Sequence, residues 1–226
     1  MKDEKEQIRF IPHPSSLIPS RPPDWFALAG IALTIAVHFL ITATTNKPNP
    51  FFIAGACLFW TIFVIVRTRQ NKYALRDWGF RADNLRQAAI LPALLLAVIA
   101  GVMAGYAYFH CTLRFPLHSW LLFLFYPIWG VIQQFLALAI LLTNLERFPF
   151  LSRHKFVLVL FNALLFGLIH IYDRPLAAGT FFLELLIIPL YLTHRNLWPL
   201  GFLHGWLGGL FYLWVLDQDL WRETFP

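Results

Sequence analysis

The sequence predicts an all-α, polytopic transmembrane helix bundle of about seven spans, with its N-terminus in the cytoplasm. Three observations carry that expectation. Of 226 residues, 58% are hydrophobic and only 13% are charged, against roughly 25% charged in an ordinary soluble domain. The charges are also clustered: eight lie in the first 24 residues and eight more in residues 67–87. Between such clusters, apolar runs of bilayer-spanning length recur. A soluble globular enzyme could not cover its surface with so little charge. A disordered chain would be less apolar, and a disulfide scaffold needs more than Cys57 and Cys111.

Residues 1–24 read as a flexible cytoplasmic leader and not as a signal peptide. They are charged, carry Pro12, Pro14, Pro19, Pro22 and Pro23, and hold no continuous apolar stretch. An N-terminal three-span region follows over 25–109, with spans Trp25–Thr45, Pro48–Val66 and Ala88–Phe109. Its connection, 67–87, interleaves Tyr73, Trp78, Phe80 and Leu85 with Arg76, Arg81 and Arg86. That pattern suits a short amphipathic piece at the headgroups, and equally a solvated loop with aromatic anchors. A four-helix core over 118–214 is predicted from the apolar runs Trp120–Leu142, Phe156–Ile171, Ala177–Leu192 and Leu197–Leu216. Two of its spans are short, and the bend Tyr172–Asp173–Arg174–Pro175 between them can lie below the membrane surface. Residues 217–226 form a C-terminal tail.

Orientation follows from the basic residues. The leader, 67–87, 143–155 and Arg195 hold 14 of the 18 Lys and Arg, which places their side in the cytoplasm. The net charge of +6 is therefore explained by lipid contact and topology, and no nucleic-acid partner is expected. The absence of a targeting signal suits a bacterial inner membrane.

Polar groups at membrane depth are costly, so they mark where chemistry is to be sought. They are His38, Gln133, Gln134, Asn162, His170, Glu184 and His204, and all but His38 fall in the last four spans. His38 reads as a buried packing histidine. Asn162, Phe166 and His170 are spaced four apart and share one helix face. His204 and Gly208 share another, where Gly201, Gly205 and Gly209 permit close helix approach. Gln133 and Gln134 are about 100° apart, so one can point inward while the other reaches a neighbouring helix. Each residue alone is equally explained as a hydrogen-bonding glue between helices, worth about 0.6 kcal/mol on average in membranes. As a set they outline a polar cavity between spans four to seven.

The order Gln133-Gln134, Phe166-Gly-Leu-Ile-His170, then Asn196-Leu-Trp-Pro-Leu before His204 resembles the CAAX-protease and bacteriocin-processing (CPBP/Abi) family of intramembrane endopeptidases. The resemblance covers roughly residues 118–214. It implies a membrane-anchored or lipidated peptide as substrate or partner, beside membrane lipids. In that family a Glu-Glu-x-x-x-Arg motif, a Phe-x-x-x-His motif and a His-x-x-x-Asn motif hold and activate a water. Here the glutamates fall on Gln133 and Gln134, the arginine on Leu138 and the asparagine on Gly208, while Phe166, His170 and His204 are kept. A glutamine amide accepts no proton at working pH, although it can orient a water or donate to an oxyanion. By resemblance the catalytic set is Gln133, Gln134, His170 and His204, with Phe166, Asn162 and Gly208 binding substrate. Glu184, the only acidic residue within any predicted span, is the one carboxylate that can replace the missing base. No motif such as His-Glu-x-x-His supports a metal site, and no cofactor is expected. Three functions remain open: an intramembrane endopeptidase, a catalytically silent relative that binds a peptide or partner in the same cavity, and a small transporter using Glu184 and the histidines as a proton relay.

At about 1.5 Å per residue, His204 should lie about 9 Å from the cytoplasmic end of its helix and His170 about 21 Å. The two can share a site only if the helices are offset or tilted.

Overall fold

The computed structural model describes residues 22–45 and 49–219. Most of the predicted leader (1–21), Lys47 in the first connection, and 220–226 of the predicted tail lie outside the described residues. The rest is all-α, as the apolar runs require.

The long helices are α1 (Trp25–Thr45), α2 (Pro50–Gln70), α4 (Leu85–Phe109), α5 (Ser119–Gln134), α8 (Lys155–Ile169), α9 (Arg174–His194) and α10 (Trp198–Leu210). Short helices α3 (Ala74–Asp77), α6 (Thr143–Leu145) and α7 (Pro149–Arg153) fill the connections. The α5 helix continues without a break through a π-helical stretch, Phe135–Leu142, into α6, and α10 continues into a second one, Phe211–Val215. Five of these rods are long and apolar enough to cross a membrane: Trp25–Thr44, Pro50–Gln70, Leu85–Phe109, Ser119–Leu145 and Arg174–His194. The remaining two segments read as spans form the shorter helices α8 and α10. Their outer surfaces match the setting, with large side chains such as Phe109, Phe51, Phe156 and Val102 more than two-thirds exposed. Such a surface needs hydrocarbon against it.

Local chemistry sets the helix ends. Asn49 caps α2 by accepting from the backbone N–H groups of Phe51 and Phe52, with Pro50 in the first turn. Asp173 does the same for α9 through the N–H of Leu176. Arg195 ends that helix in the left-handed conformation, φ 49°.

The packing centre is the α5–α10 pair. A Cβ on Gly205 would fall well inside contact distance of Pro127 Cα, and one on Gly130 would strike the carbonyl oxygen of Gly201. The glycines therefore let the two backbones touch. Pro127 lacks the N–H that would bond the Phe123 carbonyl, and the indole N–H of Trp206 on α10 donates to that oxygen at 3.0 Å. One helix thus repairs the hydrogen bond that the other forgoes. α4 lies along α10, α8 pairs with α9, and α1 meets the π stretch after α5.

The segment 71–84 turns back onto the core. Its aromatic residues divide, with Tyr73 exposed and Trp78 and Phe80 packed on Phe135 at ring separations of 5.3 and 5.9 Å. The N–H of Leu197 donates to the Gly79 carbonyl at 2.8 Å, and Asn196 Nδ2 donates to the Arg81 carbonyl at 2.9 Å. Gly79 has φ 91°, and a Cβ there would also press on Arg195 O and Leu197 N. Within this segment Arg81 donates to Asp83 at 2.6 Å and holds its carboxyl at about 2, below the ordinary value. A carboxylate whose pKa is depressed by folding stabilises above the unfolded pKa, about 4, and loses that contribution as pH falls through the folded value. Asp83 is about half exposed, so the effect is small. The difference in unfolding midpoint between wild type and Asp83→Asn should be small at pH 7 and vanish between pH 4 and pH 2. A difference that grows on acidification would contradict this assignment.

Candidate functional site

A cavity of about 940 Å³ lies between α1 and α2 on one side and α5, α8, α9 and α10 on the other. Most of its wall is apolar, including Ile35, Trp60, Leu183 and Phe211. At one region the predicted polar residues meet: Gln133, Asn162, Phe166, His170, His204 and Gly208 all line it.

His204 is the hub, and two features of α5 and α10 bring it there. The glycine seam fixes the register of the two helices, so the end of α5 comes level with the middle of α10. Gln133 and Gln134 then reach the same imidazole from its two sides. Gln134 Nε2 lies 3.1 Å from His204 Nδ1, and His204 Nε2 lies 3.1 Å from Gln133 Oε1. Gln133 lines the cavity, while Gln134 reaches a neighbouring helix and donates to a carboxyl oxygen of Glu184 on α9; both also clasp the one ring. The tautomer that satisfies both imidazole contacts carries its proton on Nε2: Nδ1 accepts from Gln134, and Nε2–H donates to Gln133.

The outcome is a hydrogen-bonded chain, Gln133–His204–Gln134–Glu184, in which Gln134 Oε1 and Glu184 Oε2 are buried without partners. Both ring nitrogens are occupied. Gln134 and Glu184 are fully buried, and Glu184 is not among the residues lining the cavity. The carboxyl group stands 3.9 Å from His204 Nδ1, with the Gln134 amide hydrogen-bonded to both. Glu184 therefore meets the rest of the site through the Gln134 amide and does not line the cavity.

Phe166 links the two histidines despite their different depths. Its ring stands edge-on to His204 at 5.4 Å and to His170 at 5.6 Å. His170 follows the last residue of α8, and its buried Nε2 has no hydrogen-bond partner. Asn162, one turn before Phe166, is fully buried with both amide atoms unpartnered. Thr180, on the Glu184 face of α9, donates to the backbone carbonyl of Leu176 at 2.8 Å and takes no part in the chain. His38, expected to be buried, is half-buried at the cavity wall with its ring against Phe39 and Phe52.

The altered motif positions have definite surroundings. Leu138 is sealed in the core within the π-helical stretch. Gly208 faces the ring of Tyr126: a Cβ at 208 would meet Tyr126 Cε1 at 3.0 Å. An aromatic ring from α5 thus takes the space that a side chain at 208 would need. Neither the ring nor the register that puts it there has a signature in the sequence.

Residues 115–210 match a family model described as type II CAAX prenyl endopeptidase Rce1-like. The Rce1-like region runs from the approach to α5 through the end of α10, so it contains the hydrogen-bonded chain, Phe166 and both histidines. Helices α1 to α4 lie outside it, although α1, α2 and α4 contribute to the cavity wall. No curated protein and no solved structure matches the chain. The chain is therefore a polytopic helical membrane protein that resembles the Rce1-like CAAX-protease family over part of its length. Among the described residues, no three His, Cys, Asp or Glu side chains converge so as to hold a metal ion.

Proposed function

We propose that this protein binds a membrane-anchored or lipidated peptide in the cavity and does not hydrolyse it. The observation that supports this most directly is the hydrogen-bonded chain Gln133–His204–Gln134–Glu184. Peptide hydrolysis needs a group on the cavity wall that can take a proton from water. In this arrangement the two glutamines cannot, His204 has spent both nitrogens, and Glu184 sits behind Gln134. What the site retains is recognition: an apolar volume large enough for a lipid chain, with neutral hydrogen-bonding groups at one region.

A hydrolytic reading has one observation in its favour, the unpartnered Nε2 of His170 at the cavity wall. That atom is the available proton acceptor if any turnover occurs. A proton-coupled transport reading draws less support, because Glu184 does not line the cavity.

The binding reading is tested by fluorescence anisotropy with the protein in nanodiscs and dansyl-labelled farnesylated CAAX peptides that end in a carboxamide. Saturable binding is expected. It should be lost in Ala56→Trp, which adds an indole to the α2 wall of the cavity. Binding that is equal in wild type and in this variant would place the peptide elsewhere.

A further inference from the structure

We propose that the cavity selects the electrical state of its ligand's polar end: it takes an uncharged hydrogen-bonding terminus, such as a carboxamide or an ester, and rejects a carboxylate. This rests on the binding role proposed above.

The first ground is the composition of the wall. Among the described residues, no Asp, Glu, Lys or Arg lines the cavity. Its polar groups are amides, imidazoles and hydroxyls, with Gln133, Asn162, His170 and His204 grouped around Phe166. Leu138, completely buried, supplies no cation from the end of α5.

The second ground is the sign of the charges nearby. Glu184 stands behind Gln134, and Asp173, three residues beyond His170, caps α9 through the N–H of Leu176. The Asp173 carboxylate would repel an anion, and Glu184, whether protonated or ionised, supplies no counter-charge to one. Arg174 is exposed and does not line the cavity. Moving an ion from water into such a place costs several kcal/mol even after relaxation, and only a counter-charge or a full set of donors offsets it.

The third ground is what the wall leaves unpaired. The amide oxygen and nitrogen of Asn162 and the Nε2 of His170 are buried without partners. Buried polar atoms are ordinarily satisfied. Asn162 offers one acceptor and one donor, which complements an amide group and gives an ester carbonyl its donor. Neither an ester nor a carboxylate has a donor to return to Asn162 Oδ1, so charge alone separates those two.

The test uses the full chain in phosphatidylcholine nanodiscs at pH 8, where free imidazoles are neutral. Three dansylated farnesyl peptides are compared, identical except for a C-terminal carboxylate, carboxamide or methyl ester, each against Ala56→Trp to isolate binding in the cavity. The amide and the ester should bind at least about tenfold more tightly than the acid. An acid that binds as tightly as the amide overturns the selectivity and leaves the binding role standing. An ester as weak as the acid also overturns it, because donor capacity and not charge would then decide. If none of the three shows cavity-dependent binding, the binding role itself falls.

Discussion

Adding a single methyl group at Gly205 should lower the apparent midpoint of thermal unfolding in detergent by more than the same change at Gly208 or Gly209. The new Cβ would overlap Pro127 Cα and the carbonyl oxygen of Tyr126, both backbone atoms that cannot rotate away. Relief requires α5 and α10 to separate, which breaks the Trp206–Phe123 hydrogen bond and pulls both glutamines from His204. Overpacking of this kind costs about 1–3 kcal/mol and sometimes more. At Gly208 the obstacle is the edge of the Tyr126 ring, and at Gly209 the nearest atoms are at ordinary contact distance, 3.7 Å. Gly101 and Gly105 on α4 have nothing within 4 Å of an added Cβ, so alanine there should be neutral or slightly stabilising. Unfolding midpoints across the series measure this order. A Gly205→Ala protein as stable as Gly101→Ala would show that the two backbones do not touch.

Glu146→Ala should be comparably damaging, for an electrostatic reason. Arg195 Nη2 lies 2.7 Å from both oxygens of Glu146, whose side chain is 2% exposed, and Lys155 approaches at 2.9 Å. Removing the carboxylate leaves a buried guanidinium without a counter-charge, which costs about 3–5 kcal/mol. The same guanidinium stacks on Tyr191, and its residue begins the turn that carries Asn196 and clamps the segment 71–84. The loss should therefore spread to that segment, as faster hydrogen exchange at Gly79 to Arg81. Lys155→Ala removes a partner that is half exposed and should change the midpoint little, by no more than about 1 kcal/mol. Equal effects of the two substitutions would contradict the buried pairing.

How much of this was legible in the sequence depends on the range of each interaction. Helix positions follow from local hydrophobicity, and the Asn49 and Asp173 caps act within three residues. The stripe Asn162–Phe166–His170 is likewise a property of one helix, and it does face the cavity. Pairings between helices were less visible. Gln134 with Glu184, Glu146 with Arg195, and Tyr126 over Gly208 each depend on how two helices are offset, and no single-chain periodicity records that offset. The glycines hinted at close approach on α10, but not that Gly130 and Pro127 were the facing surface. The π-helical stretch after Gln134 was not visible at all, since its eight residues, Phe135–Leu142, are uniformly apolar. The difference in depth between His170 and His204 is resolved by Phe166, which touches both rings.

The proposed reading requires that the chain Gln133–His204–Gln134–Glu184 supply no base to the cavity. Its most direct measurement is release of the C-terminal tripeptide from farnesylated CAAX peptides ending in a carboxylate or in a carboxamide, followed by mass spectrometry in H₂¹⁸O. Wild-type protein in nanodiscs should release none above the protein-free control and incorporate no ¹⁸O. Release with ¹⁸O in the new carboxylate, abolished by His204→Ala or His170→Ala, would contradict it.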